Sequence, residues 1–154
     1  MSEFLCKNQD KTIKDAIEIL QVRLDAKRCE PLLNSYSTLK DFLVLKFSEL
    51  STEHFAIIYQ DADLRYIKQE TLFMGSSNCC SVYPKEIVKN ALLNNASAIV
   101  IVHNHPGGRT MPSDSDISLT KEISSILKIV DISVTDHIVV SGSSTFSFHE
   151  QGIL

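Results

Sequence analysis

The chain has 154 residues, 44% of them hydrophobic and 22% charged, a globular rather than a disordered composition. Its 15 lysines and arginines against 19 aspartates and glutamates give a net charge of −4, which argues against a broad nucleic-acid-binding surface. The length suits one domain, no run approaches the roughly 18 apolar residues of a membrane span, and Met1-Ser2-Glu3-Phe4 lacks the basic flank and apolar core of a secretion signal, so a cytoplasmic location is expected.

All five glycines (Gly75, Gly107, Gly108, Gly142 and Gly152) lie beyond residue 74, and the first fifty residues read as helical. Ile13, Ala16, Ile17, Leu20 and Leu24 at helical spacing, with Asp10 as a cap, predict a first helix that Pro31 stops. Ser37 followed by Leu39, Phe42, Leu43, Leu45 and Phe47 predicts a second helix with a broad apolar face. The pair would be a cover on the core, a partner-binding element or a dimerisation arm, which leaves a homodimer open.

Phe55 to Tyr59 then reads as a strand, Asp61-Ala62-Asp63 as a turn and Leu64 to Ile67 as the return of a hairpin. Thr71 to Met74 is a further strand, ended by Gly75-Ser76-Ser77-Asn78. Pro84 opens a helix through Ile87, Val88, Ala91 and Leu92, closed by Asn94-Asn95. Ala98 to Val102 is uninterrupted apolar sequence, a strand buried on both faces. A Pro/Gly loop from His103 to Pro112 leads to a helix carrying Ile117, Leu119, Thr120, Ile123, Ile126 and Leu127. Ile138 to Val140 and Thr145 to Phe148 are closing strands. The expected fold class is α/β, a mixed β-sheet flanked by helices, with a helical N-terminal extension over residues 1–50 and the sheet domain over 51–154. Cys6, Cys29, Cys79 and Cys80 form no C-x-x-C pair, and adjacent cysteines do not suit ordinary disulfide geometry, so all four are read as reduced thiols.

The chemistry concentrates between Val102 and Asp116. On an extended segment residues two apart point the same way, so His103 and His105 would project together and chelate a metal. Two imidazoles and a carboxylate make a three-ligand zinc set, and Asp116 is the natural third member. Ser113-Asp114-Ser115-Asp116 ahead of an apolar helix also reads as a capping box, in which Asp116 satisfies backbone donors.

The pattern His-x-His, seven residues, Ser, two residues, Asp resembles the JAMM signature of JAB/MPN-domain metalloproteases, matched by His103, His105, Ser113 and Asp116. Over residues 53 to 154 the resemblance narrows to the RadC-type branch. It is carried by Val82-Tyr83-Pro84-Lys85-Glu86-Ile87, Asn95-Ala96-Ser97-Ala98, His103-Asn104-His105-Pro106, Pro112-Ser113 and Asp136-His137-Ile138-Val139. The resemblance implies a JAB/MPN-like fold and Zn²⁺ held by His103, His105 and Asp116. It also implies a glutamate on an earlier strand as general acid/base: Glu53, with Glu70 as the competitor. Ser113 would hydrogen-bond the attacking water or the oxyanion. The implied activity is that of a metallopeptidase cleaving a peptide or isopeptide bond in a peptide or protein substrate.

Two departures stand out. Gly107-Gly108-Arg109 follows His-Asn-His-Pro where the branch usually has Ser-Gly-Asp or similar, and Met111 stands where polar residues are common. Longer RadC proteins carry a helix-hairpin-helix region that needs glycine, which residues 1–74 lack, so nucleic acid as a partner has no support in this chain. His137 resembles a family feature, either support behind the ligands or a buried structural histidine. His54 should face away from Glu53, and His149 carries no signal. Zinc deaminases need H-x-E and P-C-x-x-C, which are absent. A catalytically silent MPN-type interaction module and a RadC-type protein of DNA repair are the alternatives.

Overall fold

Strand β3 (Ala98–Asn104) is buried along its whole length and organises everything around it. In this computed structural model, which describes residues 2–26, 29–75 and 81–154, β3 lies at the middle of a five-stranded sheet of order β2-β1-β3-β4-β5. The other strands are β1 (His54–Gln60), β2 (Tyr66–Met74), β4 (Ser133–Ser141) and β5 (Ser144–Ser147). β3 and β4 run parallel, joined across helix α4 (Asp114–Lys128), while the remaining pairs are antiparallel. Helices α1 (Ser2–Ala26), α2 (Tyr36–Phe47) and α3 (Pro84–Leu93) complete the fold, a mixed α/β sheet flanked by helices as expected. Among the described residues no helix is long and apolar enough to cross a membrane.

Side-chain alternation divides the interior into two cores. Ala56, Ile58, Val100, Val102, Ile138 and Val140 face one way and pack with Leu24, Leu32, Leu39, Phe42, Leu43 and Phe47 of the N-terminal helical segment. Phe55, Ile57, Tyr59, Ile99 and Ile101 face the other way, against Ile87 and Ala91 of α3 and Ile123 and Leu127 of α4. Each such aliphatic side chain contributes about 1.5–3 kcal/mol on full burial, which explains why β3 has no polar residue before His103. The even-numbered positions of β3 thus look at α1 and α2, and the odd-numbered ones at α3 and α4.

Several local expectations change. α1 begins well ahead of Asp10, which lies inside the helix rather than at its cap, because residues 2–9 contain no proline or glycine to stop it. Leu64 to Ile67 and Thr71 to Met74 are not separate strands: Tyr66–Met74 is one edge strand. Its polar centre, Lys68-Gln69-Glu70, broke the apolar pattern, and an edge strand tolerates such residues because one side meets solvent. β4 starts at Ser133, earlier than its apolar run. The helix after Pro84 ends as expected, with Asn94 as its cap and Asn95 in the left-handed region at φ 49°. Cys29 is a free, exposed thiol; Cys79, Cys80 and Ser76 to Asn78 lie outside the described residues, as does the side chain of Cys6.

On the α1/α2 side of β4, Asp136 is a buried fastener. Its Oδ1 accepts the amides of His137 and His149 at 2.7 and 2.8 Å. Its Oδ2 accepts the hydroxyls of Ser147, at 2.7 Å, and Tyr36. Burial pushes its carboxyl up against these donors, which pull it down. Asp136→Ala is expected to cost about 3 kcal/mol, since the two amides would be left without acceptors; urea denaturation of the variant measures it. A cavity of about 280 Å³ beside this network, lined by Leu32, Tyr36, Leu64, Val100 and Val134, is largely apolar and lies on the sheet face away from His103.

Candidate metal centre

His103 and His105 arrive at the same place by different means. His103 is the penultimate residue of β3, buried on the α3/α4 face, with its ring stacked on Phe55 at 6.3 Å. His105 lies just past the strand, yet its backbone is held as firmly. Its amide donates to the Val140 carbonyl at 2.9 Å, and Ser141 Oγ donates to its carbonyl at 2.9 Å. Its Nδ1 donates to the Arg109 carbonyl at 2.8 Å. A carbonyl only accepts, so that bond fixes the proton on Nδ1 and leaves the Nε2 lone pair facing His103. The loop turns back through Gly108, at φ 84° and with its amide 3.3 Å from the His105 carbonyl.

Asp116 is delivered by the first turn of α4, where the capping-box and ligand readings prove compatible. Ser113 Oγ accepts the Asp116 amide at 3.1 Å, and Asp116 Oδ2 accepts the Ser113 amide at 2.7 Å. The Ser113 hydroxyl donates to the same oxygen at 2.7 Å. Held this way, Oδ1 lies 3.4 Å from His103 Nε2, and Oδ2 lies 3.4 Å from His105 Nε2. The two Nε2 atoms are 2.9 Å apart. Among the described residues His103, His105 and Asp116 form a cluster whose ligand atoms all lie within 4.8 Å. His103 is the enclosed member, while His105 and Asp116 remain partly open to solvent.

The electrostatics follow from this crowding. Burial pushes the Asp116 carboxyl up, but His103 and His105 in their protonated forms, which alone carry a proton on Nε2 to donate, outweigh it and hold the group far below the usual carboxylate range. The Asp116 hydrogen bond, opposed by burial, raises the His105 imidazole above its ordinary 6.5, with the Arg109 carbonyl and the charge of Glu53 adding to the effect. Full burial, reinforced by the charge of His103, lowers His137 well below 6.5.

Glu53 sits immediately before β1, two residues ahead of Phe55, which packs on the face that carries His103, and its charge acts on His105. Its backbone is gripped on both sides by Asn104. The Asn104 amide donates to the Thr52 carbonyl at 3.0 Å, and its Oδ1 accepts the His54 amide at 2.7 Å. The Glu53 carbonyl accepts from Gly75 at 2.8 Å. Glu70 is placed differently, opposite Ile57 on the edge strand, where it accepts from Tyr59 Oη at 3.3 Å and meets Lys68 at 3.4 Å. Burial and that carboxylate push the Tyr59 phenol up. The His54 ring turns to the Thr52 carbonyl at 3.0 Å.

Three contributors escaped the sequence reading. Asn104 lies between the two histidines, so alternation sends it to the opposite side of the strand, where it reaches the chain around Glu53. Arg109 acts through its carbonyl, which no side-chain motif reveals. Thr120 lies four residues after Asp116, hence on the same helix face, and that spacing was the available signal.

Comparisons with known proteins place the chain among its relatives. The RadC-like JAB domain profile matches residues 33–153. UPF0758 protein PSHAa2643 of Pseudoalteromonas translucida is 40% identical over 160 aligned residues, covering 100% of this chain and 71% of the relative. UPF0758 protein YfjY of Escherichia coli is 38% identical over 144 residues, 94% of this chain and 89% of the relative. UPF0758 protein YkfG of Escherichia coli is 41% identical over 133 residues, 85% of this chain and 84% of the relative. Sequence motif, sheet order and histidine–aspartate cluster thus converge with the matches, and the chain belongs to the RadC-like JAB domain family.

Proposed function

We propose that the protein is a zinc-dependent hydrolase, most simply a metallopeptidase acting on a peptide or isopeptide bond. The observation that carries this reading is the convergence of His103 Nε2, His105 Nε2 and the Asp116 carboxylate, 2.9–3.4 Å apart. Tetrahedral zinc with bonds of about 2.0–2.1 Å sets its ligand atoms about 3.3 Å apart. His105 Nε2 faces the cluster without a proton of its own, toward a carboxylate and a second imidazole. Three electron-pair donors in such contact favour a cation among them, and this donor set suits zinc.

Bound zinc would supply Lewis acidity and lower the pKa of water from 15.7 toward about 7. The chain's own residues do the rest. Glu53 takes a proton from the attacking water and returns it to the leaving amine. Asn104 keeps the Glu53 backbone in register with the two histidines beside it. Ser113 holds Asp116 through its amide and hydroxyl, and serves the oxyanion only when that hydroxyl turns away from Asp116. Glu70 is engaged by Tyr59 and Lys68 on the edge strand, which favours Glu53 as the base.

The test is hydrolysis of a peptide and isopeptide library by the zinc-loaded protein, followed by mass spectrometry. Expected are cleavage products that disappear with a chelator and return with zinc. A zinc-loaded protein that cleaves nothing across the library would favour the interaction module. The net charge of −4 weighs against nucleic acid as substrate.

A further inference from the structure

Behind the ligands lies a chain of hydrogen bonds whose direction can be read from one end. Thr120 Oγ1 lies 2.6 Å from the Asp116 carbonyl and 2.6 Å from His137 Nδ1. His137 Nε2 lies 2.7 Å from His103 Nδ1. The carbonyl only accepts, so the single proton of the Thr120 hydroxyl goes to it. Thr120 is then the acceptor toward His137, whose Nδ1 carries the proton. His137 Nε2 is therefore a lone pair, and His103 Nδ1 donates to it. That leaves His103 Nε2 as the bare nitrogen, the atom facing His105 and Asp116.

We propose that Thr120 and His137 act as a positioning pair that locks His103 in its Nδ1-protonated tautomer and so presents the Nε2 lone pair to the metal. The inference rests on the reading of His103 as a ligand and adds the residues that prepare it. Both are buried, Thr120 at 2% and His137 at 1% exposure, so water does not compete for these bonds. The His137 ring is further fixed by stacking on Phe148 at 4.6 Å. A ligating histidine ordinarily hands its second N–H to a carboxylate, a carbonyl or water. Here the acceptor is another imidazole, which accepts only while its own proton is drawn to the opposite nitrogen. Thr120 performs that task, and the same hydroxyl ties the relay to the helix carrying Asp116.

The experiment uses ¹⁵N-labelled, metal-free protein at about pH 8, above the ordinary histidine value. Long-range ¹H–¹⁵N correlations report which ring nitrogen carries each proton. Wild type should show His103 and His137 both protonated at Nδ1. Thr120→Val, nearly isosteric, removes the acceptor; His137 should move its proton to Nε2, and His103 should then carry its own on Nε2. Competition with a chromophoric chelator should show zinc affinity falling about 10- to 100-fold. Thr120→Ser should restore both readouts.

If Thr120→Val fails to fold, His137→Phe keeps a ring in place, removes the acceptor and should show the same loss at His103. A Thr120→Val protein that keeps the Nδ1 proton on His103 and its zinc affinity would overturn the proposal, as would a wild-type His103 protonated at Nε2. The tautomer readout needs no metal. A wild type with the expected tautomers that takes up no zinc would sink the hydrolase reading and not the relay.

Discussion

Glu53→Gln is expected to abolish most turnover while leaving the metal in place. The substitution keeps the size and hydrogen-bonding reach of the side chain and removes only its ability to hold a proton. General acid/base catalysis typically supplies about 100- to 10,000-fold, and the loss should fall in kcat rather than KM. Metal content should not change, because the ligand atoms come from β3, the segment after it and the start of α4. Glu70→Gln is the control. Its carboxylate serves Tyr59 and Lys68 on the edge strand, and its loss should leave kcat nearly intact. The reverse pattern, an inert Glu53 and an essential Glu70, would assign the base to β2.

His105→Ala should lose far more zinc affinity than the about 10- to 100-fold expected of a supporting residue, because on the proposed reading it removes a ligand outright. The pH dependence of the wild type gives a second reading of the same site. Zinc needs His105 neutral, whereas Asp116 stabilises its protonated form and raises it above 6.5. Proton and zinc thus compete, and affinity should begin to fall at a higher pH than for an ordinary histidine. The sign reverses for the metal-free fold. A raised histidine contributes stability that is fully present below its unfolded value of about 6.5 and lost as pH rises through the folded value. Stabilisation by zinc should therefore grow with rising pH, which thermal melts with and without zinc will measure.

The parts of this site most legible in the sequence were those written in side chains at a fixed spacing. His103 and His105 obey strand alternation, and Asp116 obeys the capping box that also aims its carboxylate. β3 was plain because a strand buried on both faces reads as unbroken apolar sequence. β2 was fragmented because its polar centre lies on an edge. Asn104, Arg109 and Thr120 were invisible for a different reason: they act on backbone groups or through a second side chain brought in by the fold. His137 lies 34 positions from His103 and meets it only because β4 runs parallel to β3, with His137 opposite Ile101 in the ladder. Its sequence fitted a supporting or a structural role, and the 2.7 Å approach to His103 favours the first.

The decisive measurement is elemental analysis of the protein purified without added metal and again after zinc has been offered and excess removed. About one zinc per chain in the wild type, and none in His105→Ala, is the predicted result. Absence of bound metal from the wild type in both preparations would contradict a metal centre at His103, His105 and Asp116, and with it the hydrolase.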